Sequence, residues 1–104
     1  MNVDIRGVQM DKYMKLEKTL KVLADRTRLM ILSRIYQGEV CGCDLIHCLD
    51  ISQPTLSHHL KVLSSNGFIE GRREGNKILY SVNPKVFKGV ETTFKELMEE
   101  KITC

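Results

Sequence analysis

The stretch Ser52-Gln53-Pro54-Thr55-Leu56-Ser57-His58-His59-Leu60-Lys61-Val62-Leu63-Ser64-Ser65-Asn66-Gly67 decides the fold. Leu56, Leu60 and Leu63 recur at four- and three-residue spacing, the apolar stripe of an amphipathic helix. Ser52 is a good N-cap. Pro54 suits a first turn, because the backbone donor it lacks would be unpaired there anyway. Asn66-Gly67 ends the helix near Ser65, since both residues accept a left-handed backbone.

Working upstream, a short helix is expected over Cys43 to Leu49, with Leu45 and Leu49 four apart, and Asp50-Ile51 joins the two helices tightly. Before it, Asp25 can cap a helix by accepting from the amide of Thr27 or Arg28. Leu29, Leu32, Ile35 and Tyr36 then share a face, and Gly38 stops it. Asp11 to Leu23 carries Met14, Leu16, Leu20 and Leu23 at helical spacing, and residues 1–10 read as a loose arm.

Downstream, the period changes from helical to alternating. Phe68-Ile69 opens a strand, Arg72 to Lys77 forms a turn-rich tip, and Ile78, Tyr80 and Val82 alternate with Leu79 and Ser81. Asn83 caps a last helix that Pro84 starts, lined by Val86, Val90, Phe94, Leu97 and Met98. The expected fold is mainly α with a small two-stranded β-hairpin: a winged helix-turn-helix in a single domain over residues 1–104.

The polar face of the decisive helix suits DNA. A helix entering the major groove needs short polar side chains near its N-terminus to reach base edges, with cations and hydroxyls for phosphates. Ser52, Gln53, Thr55 and Ser57 supply the first set, and His58, His59 and Lys61 can meet backbone or base. Arg72, Arg73 and Lys77 gather at the hairpin tip, where they can lie along the minor groove. For any one of these residues a solvated surface is the better account; the layout as a whole favours DNA. His58 and His59 point about 100° apart on a helix, a poor metal pair, and either can pack against the second helix.

Composition narrows the classes. The chain has 104 residues, a formal charge of +3 and 42% hydrophobic residues, enough for one core. Its apolar runs are too short to span a bilayer, and its first residues lack the layout of a secretory signal, so a cytoplasmic protein is expected. The acidic Glu91, Glu96, Glu99 and Glu100 sit away from the cations of the helix and tip. No Gly-rich phosphate loop, carboxylate pair or Ser/His/Asp layout points to an enzyme.

The cysteines are Cys41, Cys43, Cys48 and Cys104. Three clustered thiols in a reducing compartment point to metal binding, redox chemistry or burial. Cys41 and Cys43 flank Gly42, which eases a bend that can turn both sulfurs to one point. Two thiols are too few for a closed zinc site but can form the base of a three-coordinate site for a trivalent metalloid. Cys48 is either a third ligand or a small buried hydrophobe, since it sits about 140° around the helix from Cys43. Cys104 is the other candidate ligand. His47 shares a face with Cys43.

Residues 16–83 resemble the ArsR/SmtB family of metal-responsive repressors. Leu23-Ala24-Asp25-Arg26-Thr27-Arg28-Leu29 is similar to the helix preceding its sensor, and Glu39-Val40-Cys41-Gly42-Cys43-Asp44-Leu45 to the metal-binding box of its arsenic-sensing branch. Ser52 to Leu60 resembles its recognition helix. The resemblance implies a homodimer on an inverted-repeat operator of double-stranded DNA. It implies repression of a metal- or metalloid-resistance operon, with release when Cys41 and Cys43 bind arsenite or antimonite. It further implies dimerisation through the first and last helices, residues 84–104 included, which suits the stripe of Val90, Phe94 and Leu97.

One position departs from the pattern: some members carry a further cysteine where this chain has Ile46. The sensors of divalent metals use N-terminal cysteines or acid/histidine pairs in the last helix, and this chain has neither. A regulator responding to thiol oxidation, or to cadmium, lead or zinc, is the alternative on the same scaffold.

Overall fold

The computed structural model describes residues 10–101. Along the chain run α1 (Met10–Leu23), α2 (Arg26–Tyr36), β1 (Val40–Cys41), α3 (Gly42–Leu49), α4 (Gln53–Ser65), β2 (Ile69–Glu74), β3 (Lys77–Val82) and α5 (Pro84–Glu99). The strands form one antiparallel sheet in the order β1-β3-β2. This is a winged helix-turn-helix, with a third strand added to the expected hairpin. Met10 belongs to α1 rather than to an arm. Residues 1–9 and Cys104 lie outside the described residues.

Helix starts follow the capping residues. The Asp25 carboxylate accepts from the Arg28 amide at 3.0 Å, and the Asn83 side chain accepts from the Lys85 amide at 3.1 Å. Ser52 Oγ accepts from the Thr55 amide at 3.3 Å. Such a cap contributes about 1 kcal/mol by pairing a helix-end donor. The turn between α3 and α4 places Asp50 in the left-handed region at φ 51°, which a short polar side chain tolerates.

The core sits where α2, α3 and α4 meet the sheet. Leu56, Leu60 and Leu63 are all buried, as the stripe predicts, and they meet Leu45 of α3 and Ile31 and Ile35 of α2. On α2 the buried face is Ile31, Leu32 and Ile35. Leu29 and Tyr36, expected on that face, are 52% and 76% exposed. They are seven residues apart and so share a stripe of their own, turned off the core.

The wing is longer than the sequence suggests. β2 and β3 pair from Ile69↔Val82 to Glu74↔Lys77. The tip is therefore only Gly75-Asn76, and Gly75 supplies the positive φ of 64° that closes it. Arg72 and Arg73 are ladder residues, not turn residues.

α1 lies along α5, and each buries one leucine, Leu16 and Leu97. An ion pair between Lys12 and Glu96 at 3.9 Å joins the same two helices. Leu97, expected on a dimer face, is 3% exposed within the single chain. Its neighbours Phe94 and Met98 instead carry the outer apolar surface, with half-buried Val90.

Candidate nucleic-acid interface and thiol site

The outer face of α4 is polar and open. Ser52, Gln53, Thr55, Ser57, His58 and Lys61 are all exposed. Several are already organised among themselves. The Ser52 hydroxyl donates to Thr55 Oγ1 at 2.9 Å, and the Gln53 amide donates to Ser57 Oγ at 3.5 Å. Ser52 and Thr55 thus shape the helix start, while Gln53, Ser57, His58 and Lys61 present polar ends outward.

His59 differs from its neighbour. It is half-buried, with Nδ1 3.2 Å from the Arg28 guanidinium of α2. Burial pushes its pKa below the ordinary 6.5, against the pull of the Asp25 carboxylate. The sequence allowed either histidine to pack on the second helix, and the structure turns His59 that way.

On the wing, Arg72 grips Glu39 through two hydrogen bonds of 2.7 and 2.8 Å and meets Glu74 at 2.9 Å. That grip holds the Glu39 carboxyl below its ordinary range. Arg73, Lys77 and Lys61 make no ion pair among the described residues, so their charges face solvent uncompensated. Nothing in the sequence marked Glu39 as a partner of Arg72, because 33 residues separate them.

Cys41 is buried in β1, paired with Leu79, and its extended backbone turns directly into α3. Cys43 stands exposed in the first turn. The two sulfurs are joined as a disulfide, with the Cα atoms 5.4 Å apart. Cys41 Sγ also accepts from the Cys43 amide at 3.1 Å, so a sulfur caps this helix. The ligand atoms of Cys41, Cys43 and Asp44 lie within 4.8 Å of one another. Asp44, one residue past the pair, is a member of this group that the sequence reading did not single out.

Cys48 is exposed rather than buried, and it lies beside Met30 and Arg34 of α2. The structure does not bring it to the Cys41–Cys43 group, because five residues of helix carry it to another side of α3. His47 is likewise exposed and outside that group.

The thiols and the polar face of α4 meet at one cleft of about 440 Å³. Its lining includes Cys41 and Cys43, Gln53, Ser57 and Lys61 of α4, and Lys77 of the wing. Two features singled out separately in the sequence therefore share a surface.

A family profile described as "Bacterial regulatory protein, arsR family" matches residues 25–70, from the α2 cap to the start of the wing. The chain is also 48% identical over 71 residues to the "Arsenical resistance operon repressor" of Staphylococcus xylosus, covering 68% of each chain. It is 42% identical over 78 residues to the protein of the same name from Staphylococcus aureus, covering 75% of each. The chain belongs to the arsR family. Its members are DNA-binding transcriptional regulators and not enzymes, and the α3–α4 pair is the helix-turn-helix of that family here. Among solved structures, the homodimeric winged helix-turn-helix domain Mb0332 of Mycobacterium bovis superposes with a TM-score of 0.65 at 26% identity. The match covers 96% of this chain and 91% of that one. No helix among the described residues is long and apolar enough to cross a membrane.

Proposed function

We propose that this arsR-family regulator is a cytoplasmic homodimeric repressor of an arsenical-resistance operon, released from an inverted-repeat operator when trivalent arsenic or antimony binds Cys41 and Cys43. The observation that carries the reading is the shared cleft: Cys41 and Cys43 line it together with Gln53, Ser57, Lys61 and Lys77. The names of the two staphylococcal relatives and the homodimeric state of the mycobacterial neighbour support it. The exposed apolar side chains of Phe94 and Met98 on α5 and Met14 on α1 offer a surface for the second copy.

In this reading Gln53, Ser57 and His58 meet base edges, and Lys61, Arg73 and Lys77 meet phosphates. Ser52 and Thr55 hold the helix start, while His59 and Arg72 act through their protein partners. A ligand releases DNA only by binding the released form more tightly, and coupling of about 1–3 kcal/mol changes operator affinity roughly 5- to 150-fold. An ion held at the thiols draws on the sulfur that caps α3, and α3 packs on α4 through Leu45 and Leu56.

The test is operator binding followed by fluorescence anisotropy, with arsenite, antimonite, cadmium and zinc added in parallel. Arsenite and antimonite release the wild-type protein. The Cys41→Ser, Cys43→Ser double variant binds operator and ignores both; release of that variant by arsenite would place the sensor elsewhere.

The Cys41–Cys43 disulfide favours a second reading, a thiol-redox regulator on the same scaffold. Peroxide would then release the operator with a mass loss of two hydrogens, and arsenite would not.

A further inference from the structure

We infer that Arg28 and His59 are a positioning pair for the recognition helix, so that sequence-specific operator binding requires His59 to be uncharged and weakens in acid. The inference rests on the operator-binding reading and adds to it a pair of residues that touches no DNA.

Arg28 is already held where it reaches α4. Its Nε donates to the Val22 carbonyl at 2.6 Å and its Nη2 to the Lys21 carbonyl at 3.5 Å. Its Nη1 stands 3.8 Å from the Asp25 carboxylate, and the side chain is only 14% exposed. The same Nη1 donates to His59 Nδ1 at 3.2 Å. A planar guanidinium fixed in this way is a rigid fork rather than a swinging cation. The end of α1, the start of α2 and the middle of α4 therefore meet at one group.

A hold at His59 governs the outer face of α4. Gln53, Ser57 and Lys61 recur every fourth residue along that face. His59 lies two positions beyond Ser57, about 200° around the helix, on the side turned to α2. Leu56, Leu60 and Leu63 fasten the helix by burial, which carries no direction of its own. The bond from Arg28 adds direction and fixes the roll of the helix. Base-edge contacts depend on that roll, because hydrogen bonds weaken steeply when misaligned.

His59 accepts only while Nδ1 carries no proton. A proton from solvent on that nitrogen sets two donors against each other and places a second cation beside Arg28. The charged and titratable groups acting on the ring are Asp25 and Arg28 at the start of α2, and His58, whose ring lies 5.2 Å away on α4 itself. Burial opposes the charge most, Arg28 and His58 oppose it further, and Asp25 favours it. Lys21 of α1 offers its carbonyl here, while its ammonium pairs with Glu17 at 3.7 Å. No titratable group of α3 or of the wing acts on the ring among the described residues.

The experiment first selects a duplex from a randomised library with the full-length protein at about pH 7.5. Anisotropy then reads the ratio of its affinity to that of a scrambled duplex at about pH 7.5 and about pH 5.5, on either side of the ordinary histidine value. Circular dichroism verifies that each protein is folded at both. Charge gained on α4 strengthens both duplexes alike, whereas lost positioning lowers the ratio. The wild-type ratio falls roughly fivefold in acid, the low end of ordinary coupling. His59→Gln, whose side-chain carbonyl accepts from Arg28 at either pH, keeps the neutral wild-type ratio at both. His59→Phe, with no acceptor, shows the low ratio at both. A wild-type ratio unchanged by pH, an equal fall in His59→Gln, or a full ratio in His59→Phe overturns the inference while operator binding stands. Selection of no duplex over the scrambled one overturns the operator-binding reading, and this inference with it.

Discussion

The Arg28 guanidinium lies 3.2 Å from Nδ1 of His59, so α2 holds the recognition helix through a histidine. The same guanidinium donates to the carbonyls of Val22 at 2.6 Å and Lys21 at 3.5 Å, closing the end of α1. Because arginine keeps its protons, Nδ1 must accept, which requires that nitrogen to be unprotonated.

Acid therefore loosens this junction. His59 has a lowered pKa when folded, chiefly through burial, so the unfolded chain binds more protons between the lowered value and the ordinary 6.5. Its stabilisation is complete above 6.5 and is lost as pH falls through that window. Thermal unfolding should have a lower midpoint at about pH 5.5 than at about pH 7.5. His59→Gln should narrow the gap, and an unchanged gap would show that another group sets it.

The Glu39–Arg72 pair fastens the wing to the residue just before β1. Both side chains are substantially exposed, so Glu39→Gln should move the global unfolding midpoint little. Local opening is another matter: amide exchange across β2 and β3 should speed up several-fold. Glu39 has a lowered pKa, chiefly through the Arg72 hydrogen bond, so the effect belongs above the ordinary 4.5 and fades as pH falls below it. Equal exchange in both proteins at neutral pH would remove the fastening role.

Salt dependence separates the wing cations. Lys77→Ala and Arg73→Ala should each reduce the slope of log affinity against log salt by about 0.9, the signature of one lost phosphate contact. Arg72 is occupied by Glu39 and Glu74, so Arg72→Ala should change the slope by much less. A full unit lost at Arg72 would mean that it leaves Glu39 for DNA.

Leu45 is fully buried and carries α3 on the core. Leu45→Ala should cost about 2–5 kcal/mol in urea unfolding, the usual range for a large-to-small change in a packed core. A cost under about 1 kcal/mol would mean that α3 is held by its turns instead.

A side chain at Gly71 would be crowded. A Cβ there would stand 3.0 Å from Ile78 Cγ2 and 3.2 Å from Tyr80 Cε1. Both neighbours line the thiol cleft, so Gly71→Ala should displace them and cost about 1–3 kcal/mol, as overpacking does. Unchanged stability in urea would show that the Ile78 and Tyr80 side chains both yield freely.

The recognition helix was legible because its stripe, cap and stop agree over sixteen residues, and each is a local signal. β1 was not: two residues carry no period, and Val40 and Cys41 become a strand only because Tyr80 and Leu79 lie alongside. Leu97 shows the limit of a helical stripe, which gives the apolar side of α5 but not how Leu97 divides from Phe94 between α1 and the outer surface. At the site, Cys41 and Cys43 were legible from their spacing around Gly42. The roles of Asp44, Glu39 and Arg28 depend on neighbours that folding supplies. So does the position of Cys48, whose helical angle from Cys43 was readable while its neighbours on α2 were not.

The caps of α2, α4 and α5 are oxygens, from Asp25, Ser52 and Asn83, and that of α3 is the sulfur of Cys41. A thiophilic reagent passes over the oxygens and addresses a single helix end. The fold thus carries a chemically orthogonal handle: one turn of one helix can be edited by an ion to which the other capped ends are indifferent, so the response is selective before any question of affinity arises.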